Sequence, residues 1–115
     1  MSRGLGDVYK RQIRGAVASW AKTMANELGQ YGITVNNVLP GFTNTNRLKT
    51  LISKKAQVQK VSEEDIANSM LSTVPSSRFG DAEEVANAIA FLCSPAAAYI
   101  NGINLPVDGG RTGTL

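Results

Sequence analysis

The sequence contains no histidine, which removes the commonest general base near neutral pH and the commonest metal ligand. No metal site is expected. The single cysteine, Cys93, excludes an internal disulfide and suits a reducing compartment. No run of about 18 apolar residues occurs, so no segment reads as a membrane-spanning helix. The opening residues are polar and lack the apolar core of a secretory signal. The expected location is the cytoplasm, with no membrane partner. Positive charge is also thin. Residues 1–12 hold Arg3, Lys10 and Arg11 against Asp7, which is +2 of the net +3. The +1 left for residues 13–115 argues against a nucleic-acid partner, which would need a basic patch on the folded part.

What is present fits one small globular domain. The 115 residues are 43% apolar and 18% charged, a folded rather than disordered composition. Residues 1–12, MSRGLGDVYKRQ, show no helical or strand periodicity. They resemble a translated sequencing-adapter artefact and read as a non-native or disordered segment, set apart from the fold. Ile13, Val17, Trp20, Ala21, Met24 and Leu28 fall on one stripe of a helix. Gly29 and Gly32 supply its stop. Ile33–Leu39 reads as a strand ended by Pro40-Gly41. Residues 42–60 are polar and read as a mobile segment with one turn of helix near Arg47–Ser53. Ser62 with Asp65, and Asp81 with Glu84, have the spacing of capping boxes that start two further helices. The second of these turns Val85, Ile89 and Leu92 inward, and Pro95 stops it. Ile103–Val107 reads as a short strand before Asp108-Gly109-Gly110.

Two strands joined by a long helical crossover predict a parallel βαβ unit of right-handed connection. Two strands are too few for a parallel sheet, which needs more neighbours and both faces covered. The Ile33–Leu39 strand would keep an unpaired edge. The pattern therefore predicts an α/β chain that lacks part of its sheet.

Four stretches carry a family resemblance. Ala21–Leu28 with Gly32–Asn36 resembles the helix and strand after the catalytic tyrosine of short-chain dehydrogenases. Pro40-Gly41-Phe42-Thr43-Asn44-Thr45 resembles that family's PG-x-x-x-T motif. Arg78-Phe79-Gly80 with Glu83-Glu84-Val85-Ala86 resembles the segment opening the penultimate helix, and Asn101–Gly110 the closing strand. In this order they cover residues 13–110. The sequence resembles the C-terminal half of a short-chain dehydrogenase/reductase, nearest to sequences labelled 3-oxoacyl-(acyl-carrier-protein) reductase. The fold so implied is the C-terminal part of a doubly wound, Rossmann-type parallel sheet, with about two strands and three to four helices over residues 13–115.

The resemblance implies NAD or NADP as cofactor, yet no Gly-rich turn that cradles a pyrophosphate occurs here. It also implies a tyrosine general acid/base whose pKa is lowered by a lysine four residues on. Aligned from Ala25–Leu28, the lysine position is Arg14 and the tyrosine position is Lys10, so Tyr9 is not the catalytic tyrosine. Arg14 reads either as a replacement of that lysine or as a solvated side chain at a helix start. Beyond Arg14 no catalytic residue is assigned. Pro40, Gly41, Thr43 and Thr45 are assigned by resemblance to the rim that holds the nicotinamide carboxamide; otherwise they form a strand-to-loop turn with capping hydroxyls. Lys49, Lys54, Lys55 and Lys60 lie where the family has its substrate lid. They meet an acidic carrier or a coenzyme A phosphate, or they are simply solvated. Val17, Trp20 and Met24 read as a core or interface stripe, Asn36 and Asn37 as hydrogen-bonding residues, and Cys93 as an apolar filler.

The expected function follows from the resemblance. The chain is a fragment of an NAD(P)-dependent oxidoreductase acting on a small carbonyl substrate of oxoacyl type, free or acyl-carrier-linked, or on the corresponding alcohol. It is inactive alone, and its parent is a homodimer or homotetramer. The alternative is a non-catalytic assembly module that docks onto a full-length reductase through the Ile13–Leu28 helix.

Overall fold

The computed structural model describes residues 5–113, and side chains from Gln12 onward. The described residues form helix α1 (Leu5–Leu28), strand β1 (Asn37–Pro40), helices α2 (Asn46–Gln59), α3 (Glu63–Leu71) and α4 (Ala82–Leu92), and strand β2 (Asn104–Val107). β1 and β2 make a two-stranded sheet. Its register advances in one direction: Asn37 N–H donates to the Ile103 carbonyl and Gly41 N–H to that of Val107. The strands are therefore parallel, and the α/β expectation holds. Contacts divide the chain into two compact units.

The first unit takes the residues up to Asn37 together with Phe91–Leu105. α1 starts at Leu5 rather than at Ile13. This corrects the expectation of no regular structure over residues 5–12; residues 1–4 lie outside the described residues. The reason is cooperativity. Once a turn exists, each added residue gains one hydrogen bond for one pair of dihedrals, and Leu, Lys, Arg and Gln resist this little. Gly32, at φ +73°, then ends the chain's turn after α1, in a left-handed conformation that favours glycine. Among the described side chains of α1, Ala21 and Ala25 are buried, while Ile13, Val17 and Trp20 stand 63%, 51% and 63% exposed. The first half of the apolar stripe is thus exposed, while Ala21 is buried and Met24 and Leu28 are half-buried.

The predicted strand begins four residues late, at Asn37. Side chains replace the ladder before it. Asn101 Oδ1 accepts from Val35 N–H at 2.9 Å while Asn101 Nδ2 donates to the Ala25 carbonyl at 3.0 Å. Asn36 Nδ2 donates to the Ile100 carbonyl and its Oδ1 accepts from Ile103 N–H. Asn37 Nδ2 donates to Asn104 Oδ1 at 2.8 Å. The asparagines do the hydrogen bonding expected of them. Cys93 is exposed, so it is not a core filler.

The second unit takes Val38–Ala90 and the residues from Pro106. Here the expectation of a mobile segment over 42–60 is wrong. Residues 46–59 are a full helix, α2, capped by Thr45 at its start and by Lys60 at φ +54° at its end. Leu48, Ile52 and Ala56 recur every four residues and pack on Ile66 and Met70 of α3. Phe42, Ala67 and Phe79 close around this cluster. The polar composition of the stretch hid a one-sided apolar stripe, which tertiary packing turns into a helix. α3 begins as predicted: Ser62 Oγ accepts from Asp65 N–H at 3.0 Å. At α4 the acid supplies the cap, with Glu84 Oε1 accepting from Asp81 N–H at 3.0 Å. α4 contains no buried residue, and Ile89 is exposed. Of its predicted inward stripe, Val85 and Leu92 are half-buried.

Candidate functional site

The chain leaves β1 at Pro40 and passes through the loop 41–45 into α2. Carboxyl ends of strands are where open α/β sheets bind ligands. Three attachments fix the loop. Gly41 N–H donates to the Val107 carbonyl at 3.0 Å. Thr43 forms a parallel bridge with Gly80, through Asn44 N–H to the Gly80 carbonyl at 2.8 Å and Gly80 N–H to the Phe42 carbonyl at 2.9 Å. The Phe42 ring meets the edge of Phe79 with centroids 6.4 Å apart and lies 4.3 Å beneath the Arg111 guanidinium, a cation–π arrangement.

Gly41 is required by proximity. A Cβ there would stand 2.6 Å from Asp108 Cβ and 2.7 Å from Asp108 Cα, well inside carbon–carbon contact. Asp108 is locked in turn. Its Oδ1 accepts from Gly110 N–H, and its Oδ2 accepts from the N–H and hydroxyl of Thr112. The Thr112 hydroxyl, foremost, holds the Asp108 carboxyl below its ordinary pKa. Asp108 thus shapes the closing turn, as its position before two glycines implied.

The segment that bridges to Thr43 carries an ion pair. Arg78 Nη1 and Nη2 donate to Glu84 Oε1 and Oε2 at 2.6 and 2.8 Å, a bidentate fork. The hydrogen bond from Arg78, followed by that from Asp81 N–H, lowers the Glu84 pKa to about 2. The same hydrogen bond raises that of Arg78. Arg78, Arg111, the pairing of Glu84 with Arg78 and the Gly41–Asp108 contact were not assigned from sequence, where Glu84 was read only as a helix cap. The visible signal was the Arg78-Phe79-Gly80 motif six residues before Glu84, a spacing that no single helix accounts for.

Of the sequence-assigned rim, Gly41 and Thr43 are half-buried, and Pro40 and Thr45 are exposed. The two hydroxyls are used in opposite senses. Thr43 Oγ1 donates to the Gly41 carbonyl at 3.1 Å, so its lone pairs remain to accept. Thr45 Oγ1 accepts from Leu48 N–H at 3.3 Å as the cap of α2, so its hydrogen remains to be donated. A carboxamide offers one acceptor and one donor group. The two hydroxyls complement it, and the residues present fit the nicotinamide end of a dinucleotide. They offer nothing comparable for a pyrophosphate. A shallow cleft nearby is lined by Phe42, Arg78, Glu84 and Asp108 among others, without Pro40, Gly41, Thr43 or Thr45.

Arg14 is exposed on α1. The Lys10 side chain, at the family's tyrosine position, lies outside the described side chains. Lys49, Lys54 and Lys55 are exposed on α2, and Lys60 is its exposed cap. Among the described residues no helix is long and apolar enough to cross a membrane, and no group of three or more His, Cys, Asp or Glu side chains could hold a metal ion.

A family model described as enoyl-(acyl carrier protein) reductase matches residues 7–112. The 3-oxoacyl-(acyl-carrier-protein) reductase FabG of Vibrio harveyi is 41% identical over 97 residues, covering 84% of this chain and 35% of the relative. A short chain dehydrogenase family protein from Francisella tularensis superposes with a TM-score of 0.81 at 32% identity, over 87% of this chain and 41% of that one. YwfH, an NADPH dependent reductase involved in bacilysin biosynthesis, superposes at 0.82 with 30% identity, over 90% and 39%. The chain spans about a third of the length of the curated relatives it matches.

Proposed function

The chain belongs to the short-chain dehydrogenase/reductase family, through the enoyl-(acyl carrier protein) reductase model that matches it, and from that membership we propose that it is the C-terminal part of a cytoplasmic NAD(P)-dependent oxidoreductase, inactive alone. Its parent reduces an oxoacyl-type carbonyl, free or carrier-linked, or oxidises the alcohol. Residues 13–115 are the C-terminal half of the catalytic domain, and residues 1–12 a non-native head. The observation that carries the reading is the loop 40–45. It offers one hydroxyl free to donate and one free to accept, at the carboxyl end of a strand and anchored on both sides.

When bound, a reduced nicotinamide supplies the hydride that becomes the carbinol C–H, and a general acid supplies the proton to the oxygen. This chain's residues do the positioning. Thr45 would donate to the carboxamide oxygen, and Thr43 would accept from its NH2 group. Gly41, pressed on Asp108, keeps the loop from shifting. Arg14 keeps a positive charge at the family's lysine position, as a planar fork in place of a compact ammonium. YwfH is an NADPH dependent reductase, which supports a nicotinamide cofactor here.

The test extends the coding sequence upstream of Ile13 from the source DNA and expresses the restored protein. NADPH oxidation with a 3-oxoacyl thioester is expected from the restored chain and not from the 115-residue one. Thr45→Val in the restored chain should raise KM for NADPH. Turnover by the 115-residue chain alone, or a restored chain that binds no dinucleotide, overturns the reading.

The exposed Ile13, Val17 and Trp20 stripe favours a second reading, an assembly module whose α1 face docks on a full-length reductase. In either reading the parent is a homodimer or homotetramer. A blue shift of Trp20 fluorescence on mixing with the restored protein supports docking, and an unchanged spectrum removes it.

A further inference from the structure

One exposed cation of the second unit is held in place without a carboxylate. Arg111 leaves the turn after β2, where its backbone N–H donates to the Asp108 carbonyl at 3.2 Å. That turn lies on the segment that follows α3: the N–H and the hydroxyl of Ser76 both donate to the Gly109 carbonyl, each at 3.0 Å. From there the Arg111 guanidinium reaches two groups at once. It lies 4.3 Å over the Phe42 ring, and its Nε–H donates to Thr73 Oγ1 at 3.3 Å. The Thr73 hydroxyl gives its own hydrogen to the Met70 carbonyl at 2.7 Å, so a lone pair remains for Arg111. Arg111 is exposed, and among the described residues the ion pair is Arg78–Glu84. Ordering an exposed arginine costs rotamer entropy. Here the stack and the hydrogen bond offset that cost, and a guanidinium suits both, since its plane can lie on a ring while its N–H groups donate within that plane. The Phe42 ring also meets Phe79 and closes the α2/α3 cluster. Arg111 thus joins the rim loop, the end of α3 and the tail at one point.

We propose that Arg111 is a positioning residue for the nicotinamide: acting through Phe42, it sets where the hydroxyls of Thr43 and Thr45 stand. The proposal rests on the reductase reading and adds a residue that lies outside the rim itself. The loop is tied at its first residue by Gly41 N–H on the Val107 carbonyl, and at its last by Thr45 as the cap of α2. Between these ties the Phe42 carbonyl accepts from Gly80 N–H, and Asn44 N–H donates to the Gly80 carbonyl. Tipping the Phe42 ring would turn the peptides on either side of it. The Thr43 hydroxyl would then lose the Gly41 carbonyl that orients it. Arg111 covers the face of the ring and blocks that movement. A bare positive charge would instead draw the cofactor's phosphates at long range and would need no ring beneath it.

The experiment compares Arg111→Ala, Phe42→Leu and the double variant in the restored protein. Arg111→Ala should raise KM for NADPH about three- to fivefold, the size of an exposed cation–π contact, with kcat at saturating NADPH within about twofold. Phe42→Leu should raise KM at least as much. The double variant should match Phe42→Leu, because either change breaks the same contact. Additive losses would mean that Arg111 acts by its charge alone, and would overturn the proposal. So would a lower Tm for Arg111→Ala with KM unchanged, which is a structural role only. In the 115-residue chain, Arg111→Ala should speed hydrogen exchange of Asn44 N–H about three- to fivefold, while Val61 N–H, beyond the far end of α2, stays within about twofold. Equal acceleration of both would report a general loss of stability and overturn the proposal. A restored protein with Arg111 intact that binds no dinucleotide overturns the reductase reading instead, and the exchange of Asn44 still decides whether Arg111 holds the loop.

Discussion

Replacing Gly41 by alanine tests the contact that holds the rim loop. The new Cβ would lie 2.6 Å from Asp108 Cβ and 2.7 Å from its Cα. Neither atom can swing away, because one is backbone and the other is held by three hydrogen bonds to its carboxylate. Gly41 does not have positive φ, so the backbone conformation adds no penalty and steric overlap is the whole effect. Relief needs about 1 Å of separation between the end of β1 and the turn after β2. That movement stretches the bond from Gly41 N–H to the Val107 carbonyl, now 3.0 Å. Overpacking costs about 1–3 kcal/mol and the weakened hydrogen bond about 1 kcal/mol, for a loss of about 2–4 kcal/mol. With a urea slope of roughly 1.5–2 kcal/mol/M, the unfolding midpoint should fall by about 1–2 M. The control is Gly15→Ala. Gly15 lies in α1 with nothing within 4 Å of its added Cβ, so alanine there should stabilise by about 0.5–1 kcal/mol. A Gly41→Ala midpoint within about 0.2 M of the parent at unchanged slope would refute the argument.

Three further predictions use other parts of the fold. Glu84→Gln should lower Tm at neutral pH by removing the charged half of the Arg78 fork. Because the Glu84 pKa is depressed to about 2, its stabilisation is complete above the unfolded value of 4.5 and is lost as pH falls through about 2. The Tm gap between variant and parent should therefore shrink from about pH 5 downward; a constant gap would show that charge is not its cause. Thr45→Ala removes the α2 cap and should cost about 1 kcal/mol, with Thr45→Ser restoring most of it in urea titrations. Ile52→Ala opens the α2/α3 cluster and should cost about 2–4 kcal/mol; a loss under about 1 kcal/mol would mean that α2 is not held by that cluster.

The parts of the fold legible in the sequence were those set by local chemistry. Ser62 announces α3 and Asp81-Ala82-Glu83-Glu84 announces α4, because caps are short-range and residue-specific. Pro40-Gly41 and Asp108-Gly109-Gly110 mark strand ends for the same reason. α2 was missed because Leu48, Ile52 and Ala56 are diluted by eleven other residues, and a sparse stripe becomes a helix only when Ile66 and Met70 arrive to cover it. The start of β1 was misplaced because Thr34 and Val35 have strand propensity, whereas side chains of Asn36 and Asn101 take over the hydrogen bonds there. At the candidate site the hydroxyls of Thr43 and Thr45 were named from sequence, but their opposite use was not. Whether a hydroxyl donates or accepts depends on the backbone group beside it. The Arg111–Phe42 stack joins residues far apart in sequence, the Arg78–Glu84 fork joins residues six apart across a helix start, and no periodicity reports either pairing.

The cross-tie through Asn101 also sets how this protein ages. Asn101 is followed by Gly102, the pairing in which an asparagine most readily cyclises to a succinimide, since glycine leaves the attacking backbone nitrogen unhindered. In the folded chain both ends of the Asn101 amide are engaged, with Val35 and with Ala25, and Gly102 is held at φ +76°. Ring closure requires letting go of both. Once converted to aspartate, the side chain has no donor for the Ala25 carbonyl and sets a negative charge against it, so each damaged molecule opens more easily than the last intact one. Deamidation at Asn101, followed by mass spectrometry, should therefore run slowly in native buffer and much faster in urea; equal rates would show that the fold gives no protection.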